Sequence, residues 1–182
     1  LPEKCMIKRV QGSVNYVQRR ADPRAAYTFF RLERARGAAE GPGLPSAQLL
    51  DLAQMEPPPA FDGPQPGQKI ARIRRLRRLD QIAIAVEEIW CAAPGAAALQ
   101  PDAISDSLYL TYQRELGVAI ERIEDRVSVD NLPAWGAAPL AARSRSGWGH
   151  VERRAWSDGP GLVEWSQTWF DSTKAHFVSR MR

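Results

Sequence analysis

The chain has 182 residues, 44% of them hydrophobic, and 25 Lys and Arg against 21 Asp and Glu give a net charge of +4. That length and apolar content suit one domain with a real core, no apolar run approaches the roughly 20 residues that cross a bilayer, and nothing has the pattern of a signal peptide. Cys5 and Cys91 are too few and too far apart for a disulfide framework or a zinc site, and His150 and His176 are the only histidines, so no metal, no cofactor, no membrane and a reducing cytoplasm are expected.

The basic excess comes almost wholly from arginine, since Lys4, Lys8, Lys69 and Lys174 are the only lysines. A DNA-reading face needs clustered cations plus a reading element, and the sequence carries no helix-turn-helix pattern. Tryptophans stand at 90, 135, 148, 156, 165 and 169. Most are expected in the core or at its rim, with a minority lining a pocket.

In chain order, Gly12–Val17 reads as the end of a hairpin. Tyr27 to Arg36, with Phe29, Phe30 and Leu32, reads as a short helix with Thr28 near its N-cap and Gly37 as its C-cap. The proline-rich stretch Gly41–Gly67 is expected to be a surface connection or edge segment, with one helical turn at Leu49–Met55. Lys69–Cys91 reads as two strands turning near Asp80-Gln81. Ser105-Asp106-Ser107 offers capping chemistry for a helix carrying Leu108, Tyr109, Tyr112 and Leu116, stopped by Gly117. Val118–Val129 alternates as a half-exposed strand does, and a small helix at Ala134–Arg143 follows. Strands at His150–Trp156 and Leu162–Phe170 come next, then a last stretch at Lys174–Met181. Hairpin-linked strands with a few helices predict an α+β domain on an antiparallel sheet.

The first strand of the Lys69–Cys91 pair is the most informative. Side chains alternate between its faces, so Ala71, Ile73, Arg75, Arg77 and Leu79 share one face, the more apolar of the two. Turned inward, that face buries Arg75 and Arg77, which is costly unless an anion meets the guanidinium forks. Either a ligand supplies that anion, or acids of the same chain do, or the faces are reversed. Glu87 on the partner strand is a candidate acceptor, Ser107 sits where a helix start favours an anion, and Tyr109 adds a phenol. Glu164, Ser166, Thr168 and Phe170 share one face of the penultimate strand. Each has a plainer role: Ser107 as a cap, Glu87 as a neutraliser across the hairpin, Glu164 as a surface acid. A two-residue turn at Asp80-Gln81 puts Glu87 on the face away from Arg77, whereas a longer loop or a bulge brings the two together. Gln81 is poorly suited to the positive φ of a tight turn, so the longer loop is expected.

These residues resemble a family. Arg72-x-x-Arg75-Leu76-Arg77 with Asp80 and Ala85-Val86-Glu87, then Ser105–Tyr109, then Val151–Trp156 with Val163–Ser166, Phe170 and Phe177, are similar in order to the effector-binding UTRA domain of GntR-superfamily regulators of the HutC subgroup. The resemblance runs from about residue 10 to 181. It implies a chorismate-lyase-like fold, an antiparallel sheet flanked by helices, a small-molecule pocket and a homodimer. It also implies an N-terminal winged helix-turn-helix that this sequence does not contain. Residues 1–20 are then expected to be the remnant of its wing and linker, and 21–182 the effector-binding domain.

By the same resemblance Arg75 and Arg77 match the anion-binding arginines, Glu87 and Glu164 the ligand-binding acids, Ser107 and Tyr109 the start of the middle helix, and Thr28 and Phe29 the start of the opening one. Phe170 stands where some relatives carry tyrosine, and Lys174 where arginine is common; Trp148 and His150 receive no role. The resulting expectation is a sensor that binds a small anionic effector and controls operator DNA binding through a dimer, without enzymatic activity. The alternative is a chorismate-lyase-like enzyme acting on an aromatic carboxylate. A weaker third is a nucleic-acid surface through Arg72, Arg74 and Arg78.

Overall fold

The computed structural model describes residues 29–35 and 41–180. Six strands form one fully antiparallel sheet: β2 (Pro45–Met55), β3 (Ile70–Leu79), β4 (Ile82–Cys91), β5 (Ile120–Asp130), β6 (Trp148–Ser157) and β7 (Gly161–Phe170), in the order β2-β3-β4-β7-β6-β5. Two short strands, β1 (Leu32–Arg34) and β8 (Ala175–Phe177), pair as a separate ribbon. The helices are short: α1 (Leu108–Thr111), which continues as a π-turn to Leu116 and ends at Gly117 with φ 66°, and α2 (Ala134–Ala137). The α+β class with an antiparallel sheet is as expected.

Alternation decides which face each side chain takes. Ala71, Ile73, Cys91 and Val163 pack on one face against Leu108, Tyr112 and the 93–99 segment. Farther along the same face, Leu79, Ala85, Val151 and Phe170 pack under Leu32 and Ala175 of the ribbon. The opposite face is closed by Phe61 over Trp90 and Trp165, and by Leu132, Trp135 and Leu140 over Leu76, Val86 and Trp169. The outer-face arginines are engaged by the chain itself: Arg72 by Asp51 at 2.5 Å, Arg74 by Glu88 at 2.7 Å, Arg78 by Gln48 at 2.9 Å. They do not form a bare cationic patch of the kind a nucleic-acid surface requires.

Three local expectations are corrected. Residues 32–34, expected within a helix, form β1, because pairing with β8 buries Leu32 against Ala175 and Phe170. Leu49–Met55, expected as a helical turn, belongs to edge strand β2, where a bulge after Leu49 accommodates one extra residue. The β3–β4 turn holds only Asp80 and Gln81, both at positive φ (47° and 68°). The register shift comes instead from a bulge: Arg78 pairs with Ala83 and Arg77 with Ala85, leaving Ile84 extra. No tryptophan lines the pocket between the sheet and α1. Trp90, Trp148, Trp165 and Trp169 all lie at positions facing away from it, where Trp90 and Trp165 pack with Phe61, and Trp148 and Trp169 pack with Leu132. The expected hairpin at 12–17, the 1–20 remnant, Thr28 and Gly37 lie outside the described residues.

Candidate ligand-binding site

The pocket is a cavity of about 90 Å³ between the sheet, the β1–β8 ribbon and the start of α1. One water position takes roughly 10–15 Å³, so the cavity holds several water-sized groups before the open mouth is counted. Four arginines (31, 75, 77, 153) and three acids (Glu87, Asp106, Glu164) line it among the described residues.

Because of the β4 bulge, Arg75 stands directly opposite Glu87. Its Nε and Nη2 both donate to one Glu87 oxygen, at 3.0 and 2.7 Å, and Arg77 Nε lies 3.7 Å from the other. The Arg75 and Arg77 side chains are 6% and 3% exposed and that of Glu87 is 12% exposed, so these are sheltered charges. Burial opposes ionisation of Glu87, but the guanidinium groups of Arg75 and Arg77 prevail and hold its carboxyl below the usual range. Both arginines also organise the approach to α1: the Asp106 carbonyl accepts from Arg75 Nη1 at 3.3 Å and from Arg77 Nη1 at 3.0 Å. The Arg77 guanidinium lies 4.4 Å from the centroid of the Phe30 ring.

On β7, Glu164 is 2% exposed and accepts from Tyr112 Oη at 2.8 Å, Ser166 Oγ at 3.1 Å and Tyr109 Oη at 3.3 Å. Burial outweighs those donors and pushes its carboxyl up toward the neutral form. Burial likewise raises the phenols of Tyr109 and Tyr112 well above the ordinary value, and the Cys91 thiol to about 12, so none of the three is a nucleophile.

Arg75, Arg77, Glu87, Ser107, Tyr109, Glu164 and Phe29 are thus brought together around one cavity. Phe29 contributes through an edge-to-face contact with Tyr109, centroids 5.7 Å apart. Ser107 precedes α1 without a side-chain capping bond, and α1 spans only four residues, so dipole and cap count for little there. Phe170 does not line the cavity; its ring lies in the core against Gly149, beside Leu79 and Val151. Thr28 lies outside the described residues. His150, given no role from the sequence, is a satisfied core residue: its ring nitrogens lie 3.1 Å from Ser128 Oγ and from Gln167 Oε1.

Sequence reasoning missed Arg153. Its Nε and Nη2 engage Asp125 of β5 at 2.6 and 2.7 Å, and burial of its charge is outweighed by that hydrogen-bonded carboxylate, which raises its pKa further. The signal was present: Gly149, Val151, Arg153 and Ala155 alternate on β6 just as Ile73, Arg75 and Arg77 do on β3.

Comparison with known proteins agrees with the geometry. The family model for the UTRA domain matches residues 44–176. The chain is 38% identical over 185 residues to the HTH-type transcriptional regulator SmoD of Agrobacterium fabrum, covering all of this chain and 76% of that protein. Among solved structures, the ligand-binding domain assigned to a GntR-family regulator of Bordetella bronchiseptica superposes with TM-score 0.75 at 17% identity, over 85% of this chain and 98% of that one. The effector domain of PhnF from Mycobacterium smegmatis does so with TM-score 0.66 at 19% identity, over 80% and 91%. These are regulators rather than lyases, and the chain belongs to the UTRA domain family, the ligand-binding domain of transcriptional regulators of the GntR type.

Proposed function

We propose that this pocket is the effector site, that the effector is a small anionic metabolite, and that its binding controls operator recognition by an N-terminal DNA-binding domain within a homodimer in the cytoplasm. The observation that carries the reading is the convergence of Arg75 and Arg77, both sheltered, on the wall of a cavity with one carboxylate between them. Guanidinium forks on rigid strands suit a carboxylate, sulfonate or phosphate in a planar, two-point contact.

Occupancy has a route out of the pocket. An anion that accepts from the Nη1 groups competes with the Asp106 carbonyl, which now holds both. The Asp106 carboxylate in turn accepts from Ala47 N of β2 at 3.2 Å, so the 105–107 turn couples the cavity to the sheet edge. Such a shift regulates only when the two states bind the effector with different affinity. Support for a dimer comes from edge strand β5, where Val127 and Val129 are 53% and 72% exposed, an apolar edge that proteins usually cover.

A thermal-shift screen over anionic metabolites, followed by titration calorimetry on wild type, Arg75→Ala and Arg77→Ala, tests the site. Each substitution is expected to abolish binding of the hit. Unchanged affinity in both variants refutes the assignment.

A further inference from the structure

Resting on the reading of this cavity as an effector site, we propose that Arg153 is a ligand-contacting residue that sets specificity at the pole opposite Arg75 and Arg77, where it reads hydroxyl groups on the uncharged end of the ligand.

The sheet order fixes the span. Arg75 and Arg77 stand on β3 and Arg153 on β6, three strands away through β4 and β7. At roughly 4.8 Å per strand the two groups are anchored about 14 Å apart, and both line the same cavity. The side chains lean inward from those anchors, and the charge of Arg153 acts on Glu87, the partner of Arg75, so one small molecule with two functional ends reaches both groups.

The chemistry of the β6 pole differs from that of the β3 pole. Asp125 takes Nε and Nη2 of Arg153 in a parallel two-point contact, neutralising the charge and fixing the plane of the fork. Arg153 lines the cavity and Asp125 does not, and Nη1 is the part of the fork that Asp125 leaves untaken. Its neighbours there are the Tyr109 phenol and the Glu164 carboxyl, both close enough to act on its charge. Ser166, paired directly with Arg153 across β6–β7, adds a hydroxyl to the same wall. Asp125 already neutralises the charge of Arg153, so this pole offers a second anion little net attraction. A hydroxyl, which donates and accepts at once, satisfies a guanidinium N–H and a carboxyl oxygen together. Asp125 is then a positioning residue.

Titration calorimetry of the chain with ethyl phosphate and glycerol 3-phosphate separates the poles, because the two probes share the anion and differ by one carbon and two hydroxyls. Wild type is expected to bind glycerol 3-phosphate about tenfold more tightly, the worth of one hydrogen bond to a charged group. Arg153→Lys keeps a cation for Asp125 but loses the Nη1 donors; the preference should fall to within twofold while ethyl phosphate affinity holds. The double variant Arg153→Met with Asp125→Leu removes the pair without stranding a charge and should behave likewise. Arg77→Met should weaken both probes together and leave their ratio intact. A preference that survives in both Arg153 variants, or its absence in wild type, overturns the role of Arg153. Binding of neither probe by wild type, or both affinities unchanged in Arg77→Met, overturns the anion site itself and this inference with it.

Discussion

Replacing Glu87 by glutamine tests the electrostatic argument most directly, because it changes one charge and almost no volume. In the wild type one Glu87 oxygen accepts two Arg75 hydrogen bonds and the other lies 3.7 Å from Arg77. Removing one partner of a buried ion pair costs about 3–5 kcal/mol. Glutamine keeps a carbonyl acceptor for Arg75, so the lower end, about 3 kcal/mol, is expected. At roughly 2–4 °C per kcal/mol for a domain of this size, that lowers Tm by about 6–12 °C.

The same substitution should tighten anion binding. With an effective dielectric near 20 and a ligand anion about 6 Å from Glu87, the lost repulsion is on the order of 2–3 kcal/mol, tenfold or more in affinity. Melts of both proteins across a phosphate series at constant ionic strength read both effects: the deficit is large without phosphate and shrinks as phosphate rises. A deficit below about 2 °C, or one that ignores phosphate, refutes the reasoning. The pH dependence has a fixed sign. The folded pKa of Glu87 lies below its unfolded value because of Arg75 and Arg77, so its contribution is whole above about pH 4.3 and disappears as pH falls through the depressed value. The gap between variant and wild type should therefore close on strong acidification.

Gly149→Ala would put a Cβ 2.3–2.6 Å from three ring atoms of Phe170, a ring held by its core neighbours, and should cost about 2–3 kcal/mol in urea denaturation, largely restored by adding Phe170→Leu. Gln81→Gly relieves a side chain held at φ 68° and should raise stability by about 0.5–1 kcal/mol in the same urea denaturation. Glu164→Gln has the opposite pH signature to Glu87: burial raises its folded pKa, so the carboxyl stabilises the fold below its unfolded pKa and that contribution is lost as pH rises through the folded value. The Tm of Glu164→Gln relative to wild type should climb as pH rises above about 4.3, the unfolded value; a flat difference contradicts the assignment.

Strand alternation made the β3 face legible, because period two needs only local sequence, and the same rule put Glu164 and Ser166 together on β7. It fails where partners are distant. Phe29, Phe30 and Leu32 have helical spacing, yet β1 exists through pairing with residues 175–177 at the far end of the chain. The turn at Asp80-Gln81 tolerates positive φ because tertiary bonds hold Asp80: Leu44 N donates to its carboxylate at 2.8 Å and Arg34 Nη1 at 2.9 Å. The Ile84 bulge leaves no local mark, since Ile84 and Ala85 are both buried and only the finished core distinguishes them from a regular pair. Arg153 was legible by alternation and was overlooked among the motif residues around it.

Hydrophobic alternation alone leaves the register of this sheet under-determined. A slip of one residue would expose the apolar face, but a slip of two preserves every inside and outside assignment. The charged pairs remove that freedom. Arg75 faces Glu87 across β3–β4, and Arg153 faces Asp125 across β6–β5. A slip of two would set Arg75 against Ala85 or Ile89, and Arg153 against Ile123 or Val127, stranding buried charge on both sides at several kcal/mol each. The groups that form the two poles of the pocket are therefore also those that select the native register. Their positions are set by folding itself, and the turn at 105–107 rests on them through the Asp106 carbonyl.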